Sequence, residues 1–336
     1  MALKMAQAGY GYWGRNLMRV FASAKGGQVV AACDSSPEAR SALAADFPGI
    51  EVHETFAGLL ARPDLDAVIL ATPADQHHDQ VRRALEAGKH VFVEKPMSRT
   101  VAEAKELIAL AEKHRRVLMV GHTFLFNDAV RWIKNYIDRG ELGEVYYAYF
   151  QRLNLGRVRQ DVDALWNLAP HDVSIALYWF GEKPVSVQSQ GASFLQPGID
   201  DVSFLTMRFP SGRFAHIHVS WIDPSKTRRA IIVGSQKMVL YDDTSSDMRI
   251  MVFDKGIDRK KLDTSLGDYK TYDQFQLVQR AGDVWIPHIK FREPLTVEAA
   301  HFVECATEGK RPLTDGQNGL DVVETLVAAQ AAYQPS

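Results

Sequence analysis

The chain has 336 residues, of which 46% are hydrophobic and 24% are charged. This composition is typical of a folded, water-soluble protein and excludes a disordered chain. The length is too great for one hydrophobic core and suits two domains. A net charge of −2 excludes recruitment of nucleic acid or an anionic membrane by the overall field of the protein.

The two cysteines, Cys33 and Cys305, are too few for a disulfide framework or a thiolate zinc site, and they suit a reducing compartment. The sequence has no secretory signal pattern, and no apolar run reaches the roughly 20 residues that a membrane helix needs. We therefore expect a soluble, cytoplasmic protein.

Short apolar runs alternate with helical patterns over residues 1–121, which is the rhythm of βαβ units on a parallel sheet. The predicted strands are residues 3–8, 28–33, 67–71, 90–93 and 117–120. The predicted helices are residues 15–24, 78–87 and 101–114, with a further helix that begins at Ser36 as N-cap and Pro37 in the first turn. Gly88 is expected to end its helix in the left-handed conformation. The sequence thus predicts an α/β domain over residues 1–121.

From residue 122 onward the pattern changes to consecutive strands with few helices, which indicates an α+β domain built on one large, mostly antiparallel sheet. The predicted strands are residues 145–153, 184–190, 202–209, 213–221, 230–233 and 238–241, and the predicted helices are residues 129–139, 164–180, 296–308 and 319–332. Residues 254–283 are polar and are predicted to form a surface loop. We assign residues 122–336 to this second domain, and its closing helices have the option of packing back toward the first.

Helices are available to cover one face of this open-faced sheet, and the sequence offers none for the other. Burial against a second copy would satisfy that face, so we expect a homo-oligomer, either a dimer or a tetramer.

Three glycines, Gly9, Gly11 and Gly14, form the G-x-G-x-x-G pattern between the first strand and the first helix. In a βαβ unit these glycines permit a tight turn, close approach of a pyrophosphate, and close packing of helix on strand. Asp34 ends the second strand, where a carboxylate meets the adenosine ribose. The sequence therefore predicts a Rossmann dinucleotide-binding domain.

The residues next to Asp34 favour NAD over NADP. Asp34 is followed by Ser35 and Ser36 with no adjacent arginine, and its carboxylate would repel a 2′-phosphate. Tyr10, Tyr12 and Trp13 of the glycine turn either contact this cofactor or pack internally.

Glu94, Lys95 and Pro96 follow a predicted parallel strand at the sheet edge where such folds bind ligands. A lysine there is suited to hydrogen-bond a reacting hydroxyl. The proline after it favours a fixed turn, with the option of a cis peptide bond, that holds the lysine in place. A solvated lysine at a strand end is the alternative interpretation.

Taken together, these motifs resemble the glucose–fructose oxidoreductase/inositol dehydrogenase/rhizopine catabolism (Gfo/Idh/MocA) family. Besides the glycine turn and Glu94-Lys95-Pro96, the resemblance rests on Thr72, Pro73 and His77, on residues 87–91, and on residues 298–302 and 311–316. It implies NAD(P)-dependent oxidation or reduction of sugars, inositols and related polyols. It also implies that Lys95 is catalytic and that Thr72, Pro73, His77 and Glu94 belong to the cofactor site.

Many members of this family carry an Asp and a His four residues apart on the helix that faces the nicotinamide. Here the corresponding residues are Asn167 and His171, which share one helix face. Because Asn cannot take a proton, we expect His171 or Lys95 to exchange it and Asn167 to orient the substrate. The alternative is that Asn167 is a helix N-cap, with Pro170 in the first turn.

The segment that contains Arg152, Asn154 and Arg157 resembles the branch of the family that oxidises the 3-hydroxyl of UDP-linked sugars. Arg152, Arg157 and Arg159 have the chemistry to clasp a diphosphate, and a solvated basic loop is the alternative. Residues 124–127 either shape the sugar pocket or pack in the core. His216 and His218 alternate on one strand, but no third ligand has a suitable spacing, so no metal is expected.

Three functions remain open from the sequence. The leading hypothesis is an NAD-dependent dehydrogenase of a nucleotide-linked sugar, and the second is a dehydrogenase of a free sugar or inositol. The third is a non-catalytic NAD-binding sensor, for which the absence of a carboxylate at Asn167 is the only argument.

Overall fold

A computed structural model describes residues 2–257 and 279–333. By their contacts the described residues form two compact units. The first runs to Asn127 and also contains Arg292–Val327, and the second contains Asp128–Phe291 together with the residues from Ala328 onward.

The first unit contains a six-stranded parallel sheet with the order β3-β2-β1-β4-β5-β6. Its strands are β1 (Leu3–Ala8), β2 (Gly27–Cys33), β3 (Glu51–His53), β4 (Ala67–Leu70), β5 (His90–Glu94) and β6 (Leu118–Gly121). This is the strand order of the doubly wound dinucleotide-binding fold, so the predicted α/β class is confirmed. Parallel strands end at the same edge of the sheet, which brings together the residues that follow β1, β2, β4 and β5.

Nine α-helices lie within the described residues of the two units. They are α1 (Tyr12–Ala22), α2 (Pro37–Asp46), α3 (Phe56–Leu60), α4 (His77–Glu86), α5 (Val101–His114), α6 (Asp128–Asp138), α7 (Ala164–Phe180), α8 (Pro294–Glu308) and α9 (Gly316–Ala331). Ser36 caps α2 by accepting a hydrogen bond from Ala39 N, and Gly88 has φ +71°, as predicted. Residues 5–8 and 67–70 are buried because the sheet is covered on both faces.

Helix α8 packs against α1 in the first unit, although it lies more than 270 residues away in sequence. Phe302 of α8 is fully buried and contacts Phe21 and Phe92 edge-on, with ring centroids 5.9 and 5.8 Å apart. Aromatic contacts of this geometry add to the burial of the rings themselves. A late segment of the chain therefore completes the core of the first unit.

The second unit contains an eight-stranded sheet with the order β14-β13-β12-β11-β7-β10-β9-β8. Its strands are β7 (Val145–Leu155), β8 (Ser186–Ala192), β9 (Val202–Arg208), β10 (Phe214–Ser220), β11 (Ile222–Gly234), β12 (Met238–Asp242), β13 (Ile250–Ile257) and β14 (Gln279–Trp285). Only the β7–β10 pair is parallel among the described pairings, so the predicted mostly antiparallel sheet is confirmed.

The two faces of this sheet differ along β9 and β10. Alternate side chains such as Leu205 and Ile217 are buried on the face that α7 covers. Phe204, His216 and His218 point to the other face and retain exposure, and Phe204 is 39% exposed. The period-two pattern of the strands therefore produces one packed and one open face.

The predicted surface loop at residues 254–283 is wrong at both of its ends. Strand β13 continues to Ile257 and pairs with β14, which begins at Gln279. Polar residues are tolerated in these two strands because their backbones pair and because Arg280 Nε donates to Asp254 Oδ1 at 2.9 Å. Residues 258–278 of the predicted loop lie outside the described residues. Strand β3 and helix α3 were missed because neither exceeds five residues.

Of the helices in the described part of the chain, none combines the length and hydropathy needed to span a membrane.

Candidate functional site

The glycine turn has the geometry that a dinucleotide pyrophosphate requires. Gly9 has φ +92°, and a Cβ at Gly14 would lie 2.3 Å from Gly9 O. A Cβ at Gly11 would meet no atom within 4 Å, so the backbone there borders open space. Gly11 is also the N-cap of α1 and makes no side-chain cap, which leaves the N–H groups of the first turn to bind an anion. These residues fit NAD.

The side chain of Gln7 stabilises this turn, a role that the sequence did not reveal. Its side chain is fully buried, and Nε2 donates to Gly9 O and to Gly14 O, each at 2.8 Å. One amide group thus joins both ends of the glycine turn to β1. The available signal was a polar residue inside an otherwise apolar buried strand.

Asp34 lies at the end of β2 with its carboxylate held in place. Oδ2 accepts from Tyr10 N at 2.6 Å, and Oδ1 accepts from Ser36 N at 2.9 Å. Two backbone donors therefore position the charge beside the glycine turn. Arg40, which is not adjacent in sequence, donates from Nη1 to the carbonyls of Asp34 and Ser35, both at 2.9 Å.

Of the three aromatic residues in the glycine turn, one packs and two are exposed. Tyr10 is buried and donates its hydroxyl to Asp46 Oδ2 at 2.7 Å, so the packing alternative holds for it. Tyr12 is 82% exposed and Trp13 is 42% exposed. The contact of Tyr12 and Trp13 with the cofactor stays a prediction.

His77 follows the turn after β4, and both of its ring nitrogens face backbone carbonyls. The imidazole is buried, with Nδ1 2.7 Å from Pro96 O and Nε2 2.9 Å from Thr72 O. Burial lowers the pKa of His77, against the two backbone carbonyls that face its ring nitrogens. His77 thus lies between the Thr72-Pro73 turn and the residue after Lys95, and its role in the cofactor site stays a prediction.

Lys95 is half-buried between the buried residues Glu94 and Pro96. The Lys95-Pro96 peptide bond is cis, as the sequence suggested. Trp13 Nε1 donates to Glu94 Oε1 at 2.6 Å, and the Lys95 backbone N–H donates to Glu94 Oε2 at 3.3 Å. The glycine turn and the strand end that carries Lys95 are therefore joined by a direct hydrogen bond.

In the second unit, α7 carries Asn167 and His171 one turn apart, as predicted. The N-cap of α7 is Asp163, whose Oδ1 accepts from Trp166 N at 2.8 Å. Asn167 N donates to Asp163 O at 3.0 Å, so Asn167 lies inside the helix. The alternative in which Asn167 is the N-cap is wrong.

The structure corrects the expectation for Arg152. Its guanidinium is buried and bidentate to Asp172, with Nε–Oδ2 and Nη2–Oδ1 distances of 2.9 and 2.8 Å. A guanidinium in a dry site needs such a partner, and the carboxylate next to His171 supplies it. The guanidinium of Arg152 thus links β7 to α7 instead of binding a diphosphate.

The other residues of this basic segment have different surroundings. Asn154 and Arg157 are exposed near the end of β7. Arg159 donates from Nε to Asp161 Oδ1 at 2.8 Å and is already paired. The binding roles of Asn154 and Arg157 stay predictions.

His216 and His218 lie on the open face of the second sheet without a third ligand beside them among the described residues. His216 Nδ1 is 2.9 Å from Thr206 Oγ1, and the ring of His218 stacks on Phe204 with centroids 4.3 Å apart.

Comparison with known proteins identifies both units. A family model described as an oxidoreductase family with an NAD-binding Rossmann fold matches residues 3–122, and the model of a GFO/IDH/MocA C-terminal domain matches residues 130–240. The predicted cofactor, NAD, and the predicted oxidoreductase class are therefore confirmed.

Individual relatives agree with this match. The uncharacterized oxidoreductase YdgJ of Escherichia coli is 32% identical over 248 residues, which cover 70% of this chain and 69% of the relative. The scyllo-inositol 2-dehydrogenase (NAD(+)) of Bacillus subtilis is 26% identical over 346 residues, covering 99% of this chain and 93% of the relative. The solved structure of UDP-N-acetylglucosamine 3-dehydrogenase GnnA from Acidithiobacillus ferrooxidans shares the fold, with a TM-score of 0.80, 23% identity and coverage of 99% of this chain and 98% of that one.

Replacing Asp34 by alanine is expected to erode the preference for NAD over NADP. The variant loses a fixed carboxylate that accepts from the ribose diol and repels a 2′-phosphate, so the ratio of kcat/KM values for the two cofactors should fall about tenfold or more. Asp46→Ala is the matched control, because it removes another carboxylate that bonds Tyr10. Wild-type protein that uses NADP as well as NAD would contradict the prediction.

Proposed function

The chain belongs to the GFO/IDH/MocA oxidoreductase family, and from this premise we propose that it is an NAD-dependent dehydrogenase of a secondary hydroxyl on a sugar or cyclic polyol. The observation that carries the proposal is the hydrogen bond from Trp13 to Glu94. It couples the turn that binds the cofactor to the strand end that presents Lys95. A lysine held beside a nicotinamide site is suited to exchange the proton of a reacting hydroxyl.

The chemistry divides between the cofactor and the protein. NAD held by the glycine turn and Asp34 would supply hydride transfer to or from the carbinol carbon. Lys95 and His171 exchange the hydroxyl proton, and Asn167 orients the substrate by hydrogen bonding, since its amide cannot accept a proton at neutral pH. Arg152 and Asp172 hold the segment of α7 that carries His171.

The substrate class follows from the charges available. Arg152 forms a salt bridge with Asp172, and Arg159 forms one with Asp161. Two of the three arginines proposed for a diphosphate clasp are therefore paired with carboxylates of the chain. This favours an uncharged sugar or inositol, and the similarity to a scyllo-inositol dehydrogenase supports that choice. A second candidate is the 3-hydroxyl of a nucleotide-linked sugar, which the exposed Arg157 and Asn154 favour.

A panel of inositols, free sugars and UDP-sugars, each assayed for NAD reduction, tests the proposed function. We expect turnover with a free polyol or sugar, and Arg157→Ala should leave its kcat/KM unchanged. Turnover restricted to UDP-sugars, with kcat/KM lowered about tenfold or more by Arg157→Ala, would establish the second candidate instead. NAD binding without turnover of any member of the panel would point to a sensor.

Replacing Lys95 by alanine is expected to abolish turnover while leaving NAD affinity nearly intact. Gly9, Gly14 and Asp34 hold the cofactor through groups that the substitution does not touch. His171→Ala should lower kcat by on the order of a hundredfold or more if its imidazole takes the proton. Near-normal kcat in the Lys95→Ala variant would refute the assignment of the site.

Asn167 offers a finer test of the same assignment. Asn167→Ala should lower kcat less than His171→Ala does, because only orientation is lost. Asn167→Asp restores the carboxylate that many relatives carry, and we expect it to retain activity. A dead Asn167→Asp enzyme with normal NAD binding would show that this site differs from theirs.

We further propose that the chain is a homo-oligomer through the open face of β9 and β10. Phe204, which stacks on His218, lies on this face and is 39% exposed. A second copy would remove such rings from water, and a stable interface buries about 1,200–2,000 Å² in total. Light scattering at micromolar concentration should give a dimer or larger. Phe204→Glu should dissociate the oligomer, whereas Phe194→Glu, at another exposed phenylalanine, should not. A monomeric wild type would exclude the proposal.

A further inference from the structure

Two buried carboxyl groups lie near the carboxyl end of β6, and only one of them belongs to the site described above. Glu94 ends β5 and is paired in register with Gly121 of β6, so closely that a Cβ on Gly121 would lie 2.9 Å from Glu94 Oε1. Two residues further along, Thr123 Oγ1 donates to Oε2 of Glu298 at 2.7 Å. Glu298 comes from α8 and is fully buried.

The two carboxyl groups have different partners. Both oxygens of Glu94 accept N–H groups, one from the Trp13 indole and one from the Lys95 backbone, an arrangement that favours a carboxylate. Glu298 has the Thr123 hydroxyl as its hydrogen-bond partner, and its Oε1 has none among the described residues. The positive charge of Lys95 acts on Glu94, whereas the charge that acts on Glu298 is the negative charge of Glu94.

The imidazole of His122, the residue before Thr123, does not neutralise Glu298. Burial, and next the charge of Lys95, lower the pKa of His122 to about 3, so this buried imidazole is uncharged. An ionised Glu298 would therefore add a second negative charge beside Glu94 in a dry site.

We propose that Glu298 is a positioning residue that keeps its proton in the folded protein, so that the carboxyl pair next to Lys95 carries at most one negative charge, located on Glu94. This inference rests on the proposed function, because it takes Lys95 as the group that exchanges the substrate proton. A second carboxylate would repel Glu94 from its bond with Trp13 and would strengthen the hold of Lys95 on its own proton. Glu298 acts on the reaction through Glu94 and contacts neither substrate nor cofactor.

The protonation energetics agree with this geometry. Burial, and next the charge of Glu94, hold the pKa of Glu298 well above its ordinary range. Burial also raises the pKa of Glu94 to about 7, against the hydrogen bond from Trp13 and the charge of Lys95. The pair thus loses its first proton near neutrality from Glu94 and retains the second on Glu298.

Thermal unfolding of the cofactor-free protein tests the inference without any substrate. The unfolded chain releases the Glu298 proton above about pH 4.5, whereas the folded protein retains it, so Glu298 lowers stability increasingly as pH rises from there toward its folded pKa. Glu298→Gln keeps the shape and the neutral state. Its Tm should equal that of wild type near pH 5 and exceed it by about 3 °C or more near pH 9.

Glu304→Gln is the matched control, because it makes the same substitution at an exposed position of the same helix, where Glu304 pairs with Lys310. Its Tm difference from wild type should stay constant between pH 5 and pH 9. If the Glu298→Gln difference is also constant over this range, the inference is overturned.

Infrared spectroscopy keeps the inference testable should Glu298→Gln not fold. The C=O stretch of a protonated carboxylic acid should persist in the wild-type spectrum near pH 8, and its absence there would overturn the inference.

The activity measurement separates this inference from the proposed function. At neutral pH, the kcat/KM of Glu298→Gln should lie within about twofold of the wild-type value. At alkaline pH, the kcat/KM of the variant should begin to fall at a higher pH than that of wild type, because no second carboxylate forms beside Glu94. A wild-type enzyme without sugar or polyol turnover would refute the proposed function and leave the unfolding and infrared results standing. If kcat/KM falls at the same alkaline pH in the variant and in wild type, the action of Glu298 on the reaction through Glu94 is refuted.

Discussion

The hydrogen bond between Trp13 Nε1 and Glu94 Oε1 is the contact on which the cofactor half of the site depends. Parallel strands end at one edge of the sheet, but their loops diverge unless side chains tie them together. Trp13 ties the loop after β1 to the end of β5, Gln7 closes the glycine turn on β1, and His77 ties the loop after β4 to Pro96. Each of these is a buried or half-buried polar bond, so breaking it would leave an unsatisfied group in a dry place.

The two units solve the problem of buried charge in different ways. In the second unit Arg152 and Asp172 neutralise each other through two parallel hydrogen bonds, which fixes the angle between guanidinium and carboxylate and hence the placement of α7 on β7. In the first unit the buried Glu298 lies near a second carboxyl group, Glu94, and by the inference above it keeps its proton instead. The first arrangement neutralises charge by pairing, whereas the second does so by protonation and therefore responds to pH.

Residues whose role follows from local pattern were predictable. The glycine turn, Asp34 at the end of β2, the N-cap Ser36 and the bounds of α5 and α7 follow from short-range sterics and capping. Gln7, Arg40 and Glu298 were not recognised, because their partners come from other segments and the sequence does not show which carbonyl or hydroxyl they meet. Arg152 was expected to clasp a diphosphate for the same reason: the sequence does not show that Asp172, 20 residues later, lies beside it.

The helix that carries His171 shows how one such pairing constrains the chemistry. Asp172 is the carboxylate adjacent to His171 in sequence, but both of its oxygens are taken by Arg152. With Asn at position 167, the described part of α7 beyond its N-cap Asp163 has no other carboxylate. A relay that passes a proton from His171 to a carboxylate of the same helix is therefore not available in this chain. Under the proposed function, the substrate proton leaves through the imidazole itself or through Lys95, so the charge that surrounds Lys95 bears directly on the reaction.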